Sequence, residues 1–316
     1  MIPLSEAGLS LYYCAMLTDA PLISIITLNY NQSQTTVDFL ESSLQLTYPN
    51  FEILVCDMAS AEDVRAIIHP EKYRNTRLLL CDKNLGFAGG NNWGMNQAKG
   101  DYFFIVNNDT ILTPGILETL LKPFMEDPRI GITCPKIMYY DQPTWIQYAG
   151  FTPMNPYTGR TYIIGEKEVD KGQHDQPGST HGAHGCAMLV KRSIAEKTGR
   201  FPERFFLYYE EWDWSARMKK AGYTIWYTPA ATIYHKESVS VGKMNPLKTY
   251  YHTRNRILYI RRNTSLVQTI VFTLFFCFFT APKSLLQYLF KKEWKHLSAF
   301  FKGAVWNLTH NSASPL

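Results

Sequence analysis

The chain has no CxxC pair among its six cysteines, no GxGxxG after its first apolar run and no GxxxxGK[ST] segment. The scattered cysteines, most of them inside apolar runs, read as small core residues and point to a reducing cytosol instead of a disulfide or zinc framework. The missing glycine signatures disfavour a dinucleotide dehydrogenase and a P-loop kinase. Residues 1–20 hold no Lys or Arg and carry Glu6, so they lack the charged start of a secretory signal. They read as a loose extension, with Met16 an alternative start. Acid is scarce near the other end: eleven Lys and Arg stand against Glu293 alone between Lys243 and Lys302.

That basic segment contains an uncharged stretch of nineteen residues, Thr264 to Pro282 (TSLVQTIVFTLFFCFFTAP). Its length is at the lower edge of what crosses a hydrocarbon core of about 30 Å. Arg261 and Arg262 precede it and Lys283, Lys291 and Lys292 follow, which favours both ends on the cytoplasmic side. The pattern predicts a helix that dips into or lies on the inner leaflet; a true span and a buried soluble helix are the alternatives. Phe290, Trp294, Phe300 and Phe301 interleave with the cations, which suits a membrane surface and speaks against nucleic acid as a partner. With 316 residues, 46% of them hydrophobic, the rest suffices for one large domain.

From Pro21 the sequence alternates short apolar runs with helical patterns. Residues 22–28, 51–56, 77–81 and 102–106 read as strands buried on both faces. Val37, Leu40 and Leu44 recur at helical spacing. Thr113 and Pro114 read as the cap and first position of a helix that buries Ile116, Leu117, Leu120, Leu121 and Phe124. The alternation predicts an α/β fold with a mostly parallel sheet.

Each apolar run ends in polar residues: Asn29 to Asn31, Asp57, Asp82 to Asn84, and Asn107 to Asp109. In open α/β sheets ligands bind beyond the carboxyl ends of the strands, so four such clusters predict one shared crevice, although each alone suits an ordinary turn. Gly86, Gly89 and Gly90 would let backbone approach a ligand, and the helix they introduce would offer N–H groups to an anion. Asp109 is a hard oxygen ligand for Mg2+ or Mn2+ shared with phosphates, or else a capping residue. The run FFLYYEEWDW sets Glu210, Glu211 and Asp213 among aromatics. These acids suit a helix N-terminus or a site, and Asp213 can pair with Arg217 one turn on.

Taken together, SIITLNYNQ, FEILVCDMAS, NLGFAGGNNWG, YFFIVNNDT, HGCAMLVKRS, FPERFFLYYEEWDWSARMKKAGY and HKESVS resemble the family-2 glycosyltransferases with the GT-A fold, closest to their bacterial rhamnosyltransferase-like branch. The resemblance runs from about Ile23 to about Asn263. It implies that Thr27, Asn29, Asn31 and Asp57 hold the nucleotide of a dTDP- or UDP-linked sugar donor, Asp57 through the pyrimidine. It also implies that Asn84, Gly86, Gly90 and Asn91 line the ribose and diphosphate, with Asn107 and Asn108 near the ribose or sugar. Asp109 and His235 become candidate ligands of Mg2+ or Mn2+, and Glu211, with Glu210 as its rival, the general base. Two positions depart from the family pattern: Met58 replaces an amide, and Glu211 stands where an aspartate is usual.

The implied organisation is an extension over 1–20, a GT-A catalytic domain over 21–245 and a helical membrane-associating region over 246–316. The implied activity is inverting transfer of a sugar, rhamnose first, to a lipid-linked or saccharide acceptor in cell-surface polysaccharide synthesis. The enzyme would work at the cytoplasmic face of the bacterial inner membrane, peripheral or monotopic. Arg254 and Asn255 would meet acceptor phosphates. A nucleotide-binding scaffold and a nucleotidyltransferase are the rival readings, and homo-oligomerisation is left open.

Overall fold

The computed structural model describes residues 20–236 and 245–311. The extension expected over residues 1–20 lies outside them except for Ala20, as does Lys243 of the basic segment. Continuous apolar runs form the sheet centre: β1 (Ile23–Asn29), β2 (Phe51–Met58) and β4 (Tyr102–Val106) are buried almost throughout, between helices on both faces. β3 (Thr76–Cys81) is the sheet edge, and it departs from expectation in being only half-buried. The sheet order is β3-β2-β1-β4-β10-β6-β11-β5, where β5 is Thr110–Ile111, β6 Ile130–Tyr139, β10 Ala187–Lys191 and β11 Thr224–His235. The short strands β7 (Trp145–Tyr148), β8 (Glu168–Val169) and β9 (Gly178–Thr180) extend its second half.

The first four strands of that order run parallel. β10 then enters antiparallel to both β4 and β6, so the whole sheet is mixed. Register decides what meets at its functional edge. Asn29 lies opposite Asp57, Ala187 lies opposite Val106, and His235 lies opposite Thr110. Residues far apart in sequence thus converge at the carboxyl ends of β1, β2 and β4.

The first helices are α1 (Ser33–Ser43), α2 (Gly86–Gln97) and α3 (Ile116–Glu126). α1 buries Thr36, Phe39 and Leu40, while Leu44 falls one residue past its end and is exposed, against its predicted core place. α3 buries the five apolar residues assigned to it. Its start differs: Gly115, at φ +71°, precedes it, and the Thr113 hydroxyl donates instead to the Thr232 carbonyl at 2.5 Å. After the short α4 (Arg192–Thr198) come α5 (Glu210–Lys220) and α6 (Pro246–Asn263).

The chain then runs from α7 (Leu266–Phe275) through one π-helical turn (Phe276–Thr280) into α8 (Ala281–Phe290), and α9 (Trp294–Thr309) packs back on α6. Leu266–Phe290 is long and apolar enough to cross a membrane, and little of it is buried. Leu274, Phe278, Phe279 and Leu286 face outward, so the reading of this stretch as a buried soluble helix does not hold.

The glycines of α2 bring that helix close to the sheet. A Cβ on Gly94 would lie 2.6 Å from Ile26 Cγ2 and 3.0 Å from Cys56 Sγ, while one on Gly90 would meet the Leu28 methyls and Met58 Sδ. We therefore expect Gly94→Ala, which presses on a stiff β-branched neighbour, to lower stability in urea unfolding by about 1–3 kcal/mol. Gly90→Ala should have a smaller effect, because Leu28 and Met58 can shift their flexible ends.

Candidate active site

The strand ends are joined by one polar network. Asn29 Nδ2 donates to Asp57 Oδ1 at 2.8 Å, and the Thr36 hydroxyl donates to Asn29 Oδ1 at 2.8 Å. Asn108 Nδ2 in turn donates to Thr36 Oγ1 at 2.9 Å, so the ends of β1, β2 and β4 are tied through side chains. Ser60 closes the far end: its N–H and hydroxyl donate to Asp57, and its Oγ accepts from Asn31 N at 2.8 Å. Asn31 is exposed and accepts from Ala61 N at its side-chain oxygen. Thr27 is wholly buried, with a hydroxyl that has no hydrogen-bond partner. Asn107 is held through its main chain, its N–H on the Cys186 carbonyl at 2.8 Å. Thr36 and Ser60 are ordinary hydroxyls in sequence, and only the register reveals them.

α2 departs from its predicted role. Asn84 Oδ1 accepts the Gly86 N–H at 2.8 Å, and the Phe206 carbonyl accepts the N–H groups of Phe87 and Ala88. The donors at this helix start are therefore engaged by the protein itself and do not form an anion site. Gly86, at φ +68°, leaves room for the Phe206 carbonyl, since a Cβ there would lie 2.5 Å from it. Gly90 packs the helix on the sheet, and the buried Asn91 donates back to the Phe87 carbonyl. Asn84, whose Oδ1 caps this turn, is exposed.

Across the β5–β11 pairing, Asp109 Oδ1 and His235 Nε2 lie 3.1 Å apart. Both residues are buried, and neither of these atoms has a hydrogen-bond partner of acceptable geometry. The other ring nitrogen, Nδ1, lies 2.7 Å from Gln147 Oε1 on β7, which fixes Nε2 as the atom facing Asp109. Burial disfavours the imidazolium, but the Cys186 sulfur and the Asp109 carboxylate favour it and raise the His235 pKa well above its ordinary value, so a cation bound here would displace that proton. One oxygen and one nitrogen, buried and left without hydrogen bonds, fit two ligands of a divalent cation. No cluster of three or more such side chains occurs among the described residues, so further positions would fall to phosphate oxygens and water. A cavity of about 350 Å³ opens beside His235, walled by Tyr140, Trp145 and Lys236. Gln147, 88 residues from His235, had no signal in the sequence.

The acid pair sits at the start of α5 behind a strained loop. Phe206, Tyr208 and Tyr209 all take positive φ, +63°, +68° and +73°. Such conformations in residues with a Cβ persist only where the surroundings enforce them. Here enforcement comes from α6. Arg254 donates to the carbonyls of Arg204 and Phe205 at 2.7 and 2.6 Å, and Asn255 Nδ2 is shared among those of Phe205, Leu207 and Tyr208 at 2.8–2.9 Å. Both side chains are buried, so the predicted contact of Arg254 and Asn255 with acceptor phosphates gives way to a different role. They clamp the loop that aims Glu210 and Glu211.

Burial, and then the Glu211 charge, push the Glu210 pKa well above the carboxylate range. Burial pushes Glu211 up to about 7, against its own and the Tyr209 N–H groups and the Glu210 carboxyl, which favour its charged form. Of the two, Glu211 is the one that ionises near neutrality, with Glu210 the proton holder beside it. Asp213, one turn on, is spent structurally on Arg217 (3.0 Å), Arg262 (2.8 Å) and Asn263 (2.8 Å).

A family model described as glycosyl transferase family 2 matches residues 24–199. Over 249 residues the chain is 25% identical to an N-acetylglucosaminyl-diphospho-decaprenol L-rhamnosyltransferase of Mycobacterium tuberculosis, covering 70% of this chain and 78% of that protein. A shorter match, 37% identical over 90 residues, covers 28% of this chain and 35% of a UDP-Glc:alpha-D-GlcNAc-diphosphoundecaprenol beta-1,3-glucosyltransferase of Escherichia coli. Among solved structures, a mannosyltransferase from Pyrobaculum calidifontis in complex with GDP-Man and Mn2+ superposes with a TM-score of 0.56 at 15% identity, over 96% of this chain and 95% of that one. GalNAc-T7 with UDP, GalNAc and Mn2+ superposes with a TM-score of 0.59 at 14% identity, over 76% of this chain and 48% of that one. The two structures speak for the fold.

Because Asn255 satisfies buried loop carbonyls, Asn255→Ala should lower stability in chemical unfolding by about 1–3 kcal/mol. Asn255→Asp keeps the shape but turns an acceptor on the same carbonyls, and should be at least as damaging.

Proposed function

Since the chain belongs to glycosyl transferase family 2, and so is a glycosyltransferase of GT-A fold, we propose that it transfers a sugar with inversion from a nucleoside-diphosphate donor to a lipid-linked or saccharide acceptor. The observation that carries this reading is Glu211, a partly buried carboxyl with a pKa near 7 in the first turn of α5, directly behind a loop held under backbone strain. A base must be ionised at working pH yet keen for a proton, and a value near neutrality meets both demands. In the reaction the acceptor hydroxyl gives its proton to the Glu211 carboxylate as its oxygen bonds to the anomeric carbon. The bond from that carbon to the diphosphate breaks, and the nucleoside diphosphate leaves with the electron pair. Glu210, kept protonated, holds the neighbouring charge down and donates toward Glu211.

On the donor side, Asn31, Asp57, Asn84, Asn107 and Asn108 are the groups assigned to the nucleotide and sugar, with Asp57 toward a pyrimidine as in dTDP or UDP. Asp109 and His235 would hold Mg2+ or Mn2+, which when bound supplies charge neutralisation for the leaving diphosphate. Rhamnose is the first candidate sugar, supported by likeness to the mycobacterial L-rhamnosyltransferase. The apolar outer face of α7 and α8, with Lys283 in the first turn of α8 and Lys291 and Lys292 just after it, supports work at the cytoplasmic face of a bacterial inner membrane in cell-surface polysaccharide synthesis. The division into a catalytic domain over 21–245 and a membrane-associating region over 246–316 belongs to the same proposal.

Screening nucleotide sugars for protection against thermal unfolding identifies the donor, and the mass of the products separates sugar transfer from nucleotide transfer. Glu211→Gln should cut kcat roughly 10²- to 10⁴-fold while donor binding persists. In the wild type, kcat/KM should rise with pH through about 7 and then level off, because only the ionised form of Glu211 accepts a proton. Wild-type turnover in Glu211→Gln would remove the base assignment. Asp109→Ala should weaken Mn2+ binding, read directly by calorimetry; unchanged affinity would make Asp109 a turn residue.

A further inference from the structure

A cavity of about 310 Å³ lies between α6 and the run from the π-helical turn into α8, with Tyr209 at one end and Phe300 of α9 closing it. Its link to the acid pair is Tyr209, which lines the cavity and immediately precedes Glu210 in the chain. Its walls are two facing helical stripes. From α6 come Lys248, His252 and Arg256 at intervals of four, and from the outer run come Thr280 and Ser284.

The wall chemistry is one-sided. No acidic side chain lines the cavity, and among the described residues neither Lys248 nor Arg256 pairs with a carboxylate. Arg256 is held in place, its Nε on the Thr158 carbonyl at 3.0 Å and its guanidinium 5.7 Å from the Phe272 ring. Lys248 lies 5.9 Å from the centre of the Tyr208 ring. Thr280 is 8% exposed, and its hydroxyl is buried with no hydrogen-bond partner. Cations with no counter-charge, beside an unsatisfied buried donor, suit an anion with several acceptor oxygens.

The surroundings say what carries that anion. The helices that form the outer wall turn Leu274, Phe278, Phe279 and Leu286 outward, 52–70% exposed. A headgroup in the cavity would continue into an apolar tail lying along that face, which a soluble phosphate could not use. We propose that this cavity binds the phosphate group of a lipid-linked diphosphate, held by Lys248, Arg256 and Thr280, and so sets the acceptor beside Glu211. The proposal rests on the transferase reading above for the identity of that lipid as acceptor.

The test uses the full chain with phosphatidylcholine vesicles carrying undecaprenyl diphosphate, and in parallel phosphatidylglycerol vesicles without it. The double variant Lys248→Gln, Arg256→Gln should lose at least about tenfold in affinity for the carrier vesicles, the loss expected when buried charge-assisted hydrogen bonds are removed. It should bind phosphatidylglycerol vesicles nearly as well as the wild type. Ser284→Leu, which fills the cavity and spares both cations, should show the same selective loss. Unchanged carrier affinity in both variants overturns the proposal. An equal loss on phosphatidylglycerol also overturns it, because the cations then serve bulk headgroups. Thermal protection by UDP and dTDP, measured on every variant, reports folding and the donor site. Selective carrier loss without nucleotide protection of the wild type would sink the reading of a UDP- or dTDP-linked donor and leave the cavity standing; the reverse pattern would sink the cavity alone.

Discussion

The structure turns on the grip of Arg254 and Asn255 on the carbonyls of residues 204–208. Three residues of the following segment occupy left-handed backbone conformations that cost on the order of 1–3 kcal/mol each for side chains with a Cβ. Left alone, that segment would relax and the acid pair would turn with it. The Arg254 and Asn255 hydrogen bonds hold it from one side, and the Phe87 and Ala88 N–H groups, on the Phe206 carbonyl, hold it from the other. Each bond adds only about 0.5–1.5 kcal/mol net, but breaking one strands a buried carbonyl, so the penalty for release exceeds the gain of formation. The strain persists because α2 and α6 both hold it.

α6 links the two ends of the molecule. On one side it carries Arg254 and Asn255, on another Arg262 and Asn263, which grip the buried Asp213 of α5. Burial alone would raise the Asp213 pKa; the Arg262 and Asn263 hydrogen bonds and the Arg217 charge outweigh it and keep the carboxyl below its ordinary range. That ion cluster stays charged at neutral pH and loosens only in strong acid, when Asp213 protonates. A third group, Lys248 and Arg256, faces the outer helices. One helix thus touches the acid loop, the Asp213 ion cluster and the apolar outer segment.

Much of the sheet was legible because β1, β2 and β4 are continuous apolar runs, and burial on both faces requires such runs. What failed was local chemistry that sequence cannot separate by type. Thr113 looks like a cap, but its hydroxyl finds the Thr232 carbonyl on a distant strand. Gly90 has the same composition whether it admits a ligand or a neighbouring Leu28, and only the packed distance decides. Arg254 and Asn255 form polar groups in a basic stretch, which reads as phosphate binding until the carbonyls appear opposite them. The Asp109 and His235 meeting is the opposite case: strand pairing of Thr110 with His235, 125 residues apart in the sequence, brought the ring to the carboxylate.

The glutamate at position 211, where the family resemblance led us to expect an aspartate, has the backbone of Gly185 as a close neighbour. A Cβ on Gly185 would lie 4.0 Å from Glu211 Cδ and 3.8 Å from the Phe87 ring, ordinary contact distances, so Gly185 faces the acid across a van der Waals gap. Gly185 stands just before Cys186, whose carbonyl holds the Asn107 N–H, so the backbone that faces the acid also fixes the end of β4. Glu210, one residue earlier, is almost fully buried. Burial raises both acids, and the Glu211 charge adds to the rise at Glu210 while the Glu210 carboxyl lowers Glu211, which keeps the proton on Glu210.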